Sequence, residues 1–181
     1  MHDRLWLLAK GGDMHNLRRI GCSSRATVLF LSAIIATTAT AKPFTYVNAR
    51  FGQSCTFPDD IFDNAMPEPE NGDGQQWLSA DGASLTCSGI YNVDNDTPKG
   101  FVAQASTEPG SKVTYSKTGK NWAVISGTRD GKIFYERRLF GKDDVIRTVW
   151  IEYPATLKAK YDPLIGAIAA SLHEASGPHS K

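Results

Sequence analysis

The sequence predicts an α+β domain in which an antiparallel meander sheet is closed by a C-terminal amphipathic helix. Between residues 112 and 153, four strand-like segments follow one another at near-regular spacing, with short glycine-containing turns between them. In the next segment, "YDPLIGAIAASLHEASG", apolar residues recur at helical spacing. With 181 residues, of which 41% are hydrophobic, the chain has the size and composition of one globular domain with an extension.

The first 41 residues are predicted to form an N-terminal extension and a cleavable signal peptide, which leaves residues 42–181 as a single α+β domain. Three arginines precede the apolar run Ala26–Ala36, and an A-x-A cleavage motif follows it. The run is shorter than the about 20 residues of a membrane-spanning helix, so a permanent anchor is the weaker interpretation. The sequence leaves open whether translation starts at Met1 or at Met14. We predict a periplasmic or secreted protein.

The distribution of charge gives no sign of a nucleic-acid partner. The formal net charge is +1, and residues 1–41 hold five of the 20 Lys and Arg residues but two of the 19 Asp and Glu residues. The remaining domain is therefore mildly acidic, and it has no basic run of the kind that binds DNA or RNA. We expect no nucleic acid among its partners, and no membrane span once the signal has been cleaved.

Two cysteines, Cys55 and Cys87, remain in the predicted mature domain, 32 positions apart. When a protein of an oxidising compartment contains just two cysteines, these usually form a disulfide, so we predict this bridge. Closing a loop of this length stabilises a domain by about 3–4 kcal/mol in the chain-entropy treatment. The alternative is two separate buried thiols, whereas the spacing excludes a CxxC redox pair. If their strands are neighbours, the two side chains would meet across one sheet.

The first half of the domain is predicted to contain two short strands and a hairpin. Alternating residues favour a strand at Phe44–Arg50 and another at Ser54–Pro58, where the proline ends the pattern. The polar segment 59–76, rich in acids, glycine and proline, is typical of a loop. Trp77–Ser79 and Ala83–Tyr91 are predicted to be the arms of a hairpin whose turn is "ADGA".

The second half is predicted to hold the meander, after a short helical turn near Phe101–Ala105. Its turns, "KTGK", "RDGK" and "FGKDD", each contain a glycine, for which a positive φ costs little. The second strand is apolar on both alternating faces and is expected to be buried on both. The four predicted strands are Lys112–Ser116, Asn121–Thr128, Lys132–Phe140 and Asp144–Tyr153.

The C-terminal helix is predicted to begin with Asp162 as its N-cap and Pro163 at its first helical position. Gly177 and Pro178 are predicted to end it. Its apolar stripe, at helical spacing, consists of Leu164, Ile165, Ile168, Ala169 and Leu172.

Four segments of the chain resemble a group of small exported domains of Gram-negative bacteria. They are "YVNARFGQSCTFP", "PENGDGQQWLSADGASLT", "WAVISGTRDGKIFYERRLF" and "IEYPATLKAKYDPLIGAIAASL". The group carries a Y-x-N-x-R-F-G motif and a YDP…AxIAxS motif, and the likeness covers nearly all of residues 44–173. The cysteine pair departs from its pattern, which would make the bridge a local addition.

More distantly, this group is similar to the PsbP-like and DcrB-like α/β/α sandwich. That likeness implies a central antiparallel sheet with helices on both sides. It implies no catalytic residues, because PsbP-like domains are chiefly assembly and binding modules.

The residues themselves give no catalytic or metal motif. The predicted mature chain has two histidines, His173 and His179, both at its end, and no G-x-S-x-G nucleophile elbow. No Cys or His cluster has the spacing of a zinc site. We therefore predict no enzyme, no catalytic residue, no metal and no cofactor.

Calcium is a weaker alternative, because two acidic loops place oxygen-bearing side chains at alternate positions. Neither loop matches the EF-hand pattern, and loops of this composition are usually solvated turns. The residues concerned are Glu68, Glu70, Asn71, Asp73, Asp94, Asn95 and Asp96.

Aromatic residues on or beside the strands are the remaining candidates for a binding surface. Core packing is the favoured interpretation, and the alternative is an open face or groove for a peptide or glycan. Arg137 and its neighbour Arg138 point to opposite faces of one strand, so one of them is expected to be partly buried beside an acid. The candidate surface consists of Trp77, Tyr91, Tyr135, Arg137 and Trp150.

These observations predict an exported, non-catalytic binding or assembly module of the cell envelope. Its partner is expected to be a protein, peptide or glycan of the envelope. The alternatives are a small secreted hydrolase that uses carboxylates of the acidic loop, and a calcium-stabilised domain.

Overall fold

Residues 42–175 are described by a computed structural model, and they form two antiparallel sheets and two α-helices. The predicted signal peptide and the predicted helix end at Gly177 and Pro178 lie outside these residues. Pro154 is followed by a 3₁₀ turn, Ala155–Leu157. In chain order the elements are β1 (Pro43–Val47), β2 (Gln53–Pro58), β3 (Asn64–Ala65), β4 (Gly74–Leu78), β5 (Ser84–Tyr91), α1 (Pro98–Ala105), β6 (Ser111–Thr118), β7 (Trp122–Arg129), β8 (Lys132–Phe140), β9 (Val145–Pro154), α2 (Lys158–Ser171) and β10 (His173–Glu174).

The larger sheet has the strand order β3–β4–β5–β9–β8–β7–β6. The predicted meander is confirmed as β6 to β9, and β5 pairs with β9, so that the β4–β5 hairpin extends the same sheet. The smaller sheet has the order β1–β2–β10. β3 and β10 are two-residue strands that the sequence pattern did not predict, because two residues are too few to show a period.

Both faces of the larger sheet are covered, each by a different helix. On one face lie α2 and the smaller sheet, and the core between these layers is the larger of the two. On the other face lies α1, above β6 and β7, with a smaller core of its own. As predicted, β7 is buried on both faces in its middle, at Ala123, Val124 and Ile125.

The disulfide between Cys55 and Cys87 is present and joins the two sheets. A bridge across one sheet was expected if the two strands were neighbours, but Cys55 lies on β2 of the smaller sheet and Cys87 on β5 of the larger. Both residues are fully buried, and their Cα atoms are 6.4 Å apart. The bridge therefore crosses the larger core and holds its two walls together.

The Y-x-N-x-R-F-G motif forms the turn between β1 and β2, and Asn48 organises it. Asn48 Oδ1 accepts hydrogen bonds from the backbone nitrogens of Arg50, at 2.9 Å, and Phe51, at 2.8 Å. Asn48 Nδ2 donates to Tyr46 Oη, at 2.9 Å, and to the carbonyl oxygen of Gly72, at 3.0 Å. The motif thus ties the first hairpin to the loop that precedes β4.

The predicted start of the C-terminal helix is wrong, because α2 begins at Lys158 and Pro163 lies inside it. Asp162 does not cap the helix, since its carboxylate accepts hydrogen bonds from Tyr153 Oη, at 2.7 Å, and from Lys158 Nζ. The buried Tyr161 fixes the turn before the proline by donating to Asp81 Oδ1 at 2.5 Å. The predicted apolar stripe is buried except for Leu164, which is half-buried.

Only one of the three meander turns uses its glycine as predicted. In "RDGK", Asp130 and Gly131 have φ values of +50° and +78°, the left-handed pair of a tight hairpin turn. In "KTGK", Gly119 instead leaves space for the indole of Trp122, because a Cβ at this position would lie 2.1 Å from the indole Nε1.

Removing the bridge is expected to destabilise the protein strongly. The double variant Cys55→Ala, Cys87→Ala should lose about 3–4 kcal/mol of unfolding free energy, because the unfolded chain regains the freedom of the closed loop. Urea denaturation of the oxidised protein and the variant measures the difference, and the reduced wild type is the matched control. Intact-mass analysis that finds two free thiols in the exported protein would contradict the prediction.

Candidate functional site

A cleft with a volume of about 510 Å³ lies between α1 and the larger sheet. α1 is placed by Thr97, whose Oγ1 accepts from the backbone nitrogen of Gly100 at 3.1 Å, and by Pro98 at the start of the helix. Phe101 and Ala105 anchor it on the sheet. We call this cleft the α1 cleft and define it by Phe101, Arg129, Phe134, Glu136, Arg138 and Trp150.

An ion pair between a buried glutamate and a half-buried arginine lies in the α1 cleft. Glu136 and Arg138 are two positions apart on β8 and therefore point to the same face. Arg138 Nε donates to Glu136 Oε1 at 2.5 Å, and the glutamate side chain is only 6% exposed. The Arg138 guanidinium also lies over the ring of Phe101, 3.9 Å from its centroid. The arginine thus links the sheet to the helix above it.

Burial raises the pKa of the Glu136 carboxyl above its ordinary value, although the nearby Arg138 acts in the opposite direction. The loss of hydration of the carboxylate outweighs the attraction of one guanidinium at this depth. The carboxylate is therefore held in its charged form less firmly than an exposed glutamate would be.

A second ion pair and two stacked rings complete the α1 cleft. Arg129 Nη2 lies 3.0 Å from Glu108 Oε1, and the guanidinium lies over the rings of both Phe134 and Trp150, at 5.7 and 5.5 Å. The planes of Phe134 and Trp150 differ by 4°, and their centroids are 5.2 Å apart. The cleft therefore combines a flat aromatic surface with two guanidinium–carboxylate pairs.

These side chains form a binding arrangement more readily than a hydrolytic one. The residues that line the α1 cleft include Glu136, whose pKa is raised by burial, and no histidine. His173 is the one histidine in residues 42–175, and it lies exposed beyond α2, with Nδ1 2.7 Å from the carbonyl oxygen of Ser171. The α1 cleft therefore has no histidine to serve as the base of a nucleophile–base pair.

In both acidic loops, side-chain oxygen atoms accept hydrogen bonds from groups of the same loop. Asn71 Nδ2 donates to Asp73 Oδ2 at 2.7 Å, and Asn92 Oδ1 accepts from the backbone nitrogen of Asp96 at 2.7 Å. Across residues 42–175, no three His, Cys, Asp or Glu side chains come together in a way that could hold a metal ion.

The five residues of the predicted binding surface do not come together. Trp150 lies in the α1 cleft, whereas Tyr135 and Arg137 lie on the opposite face of the sheet. Tyr91 is 56% exposed at the end of β5, against the ring of Phe51.

Trp77 is only 6% exposed and belongs to the larger core, so it does not line a surface. It lies opposite Leu85 on β5, on the face that the smaller sheet covers, and it packs against the rings of Phe57 and Tyr46 at 4.6 and 5.1 Å.

The sequence predicted one ion pair of the α1 cleft but not where in the fold the cleft lies. The expectation that Arg137 or Arg138 would be partly buried beside an acid is confirmed by the Arg138–Glu136 pair. Arg129 and Phe101 were not predicted as site residues, because only the packing of α1 on the sheet brings them together. The capping signal at Thr97 and Pro98 could have indicated a full helix there.

An antiparallel sheet with a helix on each face, the C-terminal one amphipathic, defines a PsbP-like α+β sandwich. The solution structure of cyanobacterial PsbP (CyanoP) from Synechocystis sp. PCC 6803 superimposes with a TM-score of 0.55 and 8% sequence identity. The match covers 76% of this chain and 95% of the cyanobacterial one, and it shows that the fold is shared. A scan of protein-family models and a search of curated proteins find no match. Within the described part of the chain, no helix has the length and apolar character needed to cross a membrane.

The raised pKa of Glu136 predicts a specific pH dependence of stability. Because the folded state holds this proton more tightly than the unfolded state, the contribution of Glu136 to the unfolding free energy falls as the pH rises above about 4.3. Compared with Glu136→Gln, the wild type should therefore lose about 1.4 kcal/mol for each pKa unit of the rise. Urea denaturation of both proteins between acid and neutral pH measures the difference. A difference that is constant, or that changes in favour of the wild type as the pH rises, would show that Arg138 outweighs burial.

Proposed function

We propose that this protein is an exported binding module of the cell envelope, periplasmic or secreted and without catalytic activity, and that the α1 cleft holds its ligand. The observation that carries the proposal is the pair of the buried Glu136 and the half-buried Arg138 in the α1 cleft. A buried ion pair contributes little net stability compared with apolar residues of the same size. Its presence in a concave site is therefore better explained by recognition than by stability.

The size and lining of the α1 cleft favour a segment of a peptide or glycan as the ligand. A volume of about 510 Å³ is within the range of ligand sites, about 300–1,000 Å³. Trp150 offers a half-buried ring for stacking, and Arg129 and Arg138 offer donors that their carboxylate partners do not fully use. A ligand with both a flat surface and hydrogen-bonding groups fits these features.

Two features support export. The sequence begins with an arginine-containing, apolar segment and an A-x-A motif, as secretory signals do. The Cys55–Cys87 bridge is of the kind that forms in oxidising compartments. The absence of a histidine base among the residues that line the α1 cleft supports a binding role without catalysis, as does the PsbP-like fold.

Crosslinking in intact envelopes tests the proposal. The full chain is expressed with its leader and a C-terminal tag, crosslinked, and purified together with bound molecules. Trp150→Ala should reduce the main crosslinked species about tenfold, because a central aromatic contact commonly carries that share of binding. Tyr91→Ala removes an exposed aromatic residue outside the cleft and is the matched control. Recovery of the same species at equal yield with Trp150→Ala, or the absence of any enriched species, would contradict the proposal.

A further inference from the structure

The face of β6, β7 and β8 opposite the α1 cleft is only partly covered by α2 and carries two tyrosines on either side of a serine. Tyr115 is paired with Ser126, and Ser126 with Tyr135, so the three side chains form one row across three strands. Tyr115 is 51% exposed, and a cavity of about 310 Å³ runs between this row and α2. We call Tyr115, Ser126 and Tyr135 the tyrosine trench.

The charge around the tyrosine trench is positive. Lys117 and Arg137 share the next cross-strand row, and Lys112 lies on the same face beyond the trench. None of these three cations forms an ion pair with a carboxylate of residues 42–175. Strands β6 to β8 place no acid on this face, because Glu136 points into the α1 cleft. At the margin of the trench, Asp162 is already paired with Lys158.

Arg137 is a cation without an acceptor. Its Nε is buried and has no hydrogen-bond partner among the described residues, and its guanidinium lies 5.3 Å from the ring centroid of Trp122. Buried donors in folded proteins nearly always find an acceptor, so each exception calls for an explanation. The neighbouring Arg138, by contrast, has the carboxylate of Glu136 at 2.5 Å. An acidic group brought by a ligand would give Arg137 the partner that residues 42–175 do not supply.

We propose that the tyrosine trench binds an acidic glycan, a chain of sugar rings that carry carboxylates. The phenol rings offer flat surfaces against which the apolar faces of sugar rings stack. Ser126 Oγ donates to the carbonyl oxygen of Phe134 at 2.8 Å and remains free to accept from a sugar hydroxyl. Arg137 and Lys117 bind the carboxylates. This site is separate from the α1 cleft, and its ligand does not depend on whether that cleft is occupied.

An acidic peptide would satisfy the cations but would make less use of the rings. Tyr115 and Tyr135 lie two strands apart, with the small Ser126 between them. This spacing suits a chain of sugar rings better than a flexible peptide backbone. Burial raises the pKa of the Tyr135 phenol, which therefore stays protonated and able to donate to a ring or hydroxyl oxygen.

Titration calorimetry of the full, oxidised protein with an oligogalacturonate tests the proposal. We expect binding that weakens as salt is added, because salt screens the ion pairs that the carboxylates form with the exposed Lys117 and the half-buried Arg137. Tyr115→Ala and Arg137→Gln should each weaken it about tenfold, as the loss of a principal contact does. Tyr115 is exposed, so its variant tests the site without disturbing the core. Lys99→Gln, which removes an exposed cation of α1 on the other face, should bind as the wild type does.

Three results would overturn the proposal. Equal binding of a neutral dextran oligosaccharide would show that charge is not recognised. Equal binding of oligoglutamate, with the same loss in Tyr115→Ala, would assign the surface to an acidic peptide instead. Failure of the oligogalacturonate to bind, or undiminished binding to Tyr115→Ala, would show that the tyrosine trench is not a site for acidic glycans.

Discussion

Both candidate sites depend on one constraint, the alternation of side chains along β8. Tyr135 and Arg137 point to the face shared with α2, while Glu136 and Arg138 point to the face under α1. A shift of one residue in the register of β8 would exchange these two sets, because successive side chains of a strand lie on opposite faces. The register is held from both sides, since β8 pairs along its whole length with β7 and with β9.

The layers around β8 give its two faces different surroundings. α1 covers β6 and β7 on one face, whereas α2 and the smaller sheet extend over β5 and β9 on the other. The two covers are therefore offset, and the half of the sheet under α1 is partly uncovered on its opposite side. One face provides a cleft with a partly buried ion pair, and the other an open trench with one exposed and one half-buried tyrosine ring. The Cys55–Cys87 bridge holds the smaller sheet in place and so fixes the edge of this cover.

The sequence predicted the features that local patterns determine. The meander, the two-sided burial of β7 and the apolar stripe of α2 all follow from a period of two or of about 3.6 residues. The pairing of β5 with β9, and the disulfide between two sheets, depend on contacts between distant segments that no local period encodes. The start of α2 was predicted wrongly because Asp162 and Pro163 have the types of a cap and first residue, while tertiary contacts of Tyr161 and Asp162 decide the boundary.

The difference between local patterns and contacts of distant segments also explains why the candidate sites were harder to predict than the fold. The motifs that carry the resemblance contain residues such as Asn48, which organises a turn, and Ser171, whose Oγ lies 2.8 Å from the backbone nitrogen of Thr56 and joins α2 to β2. Such residues hold elements together and therefore carry information about the fold.

Binding depends instead on which charged side chains lack a partner, and that is decided by the residues that surround them in space. Arg137 and Arg138 are adjacent in sequence and identical in type, yet among residues 42–175 only Arg138 has an acid within reach on its own face. The difference between a satisfied arginine and one that requires an external acceptor becomes visible only when both faces of β8 are seen with their neighbours.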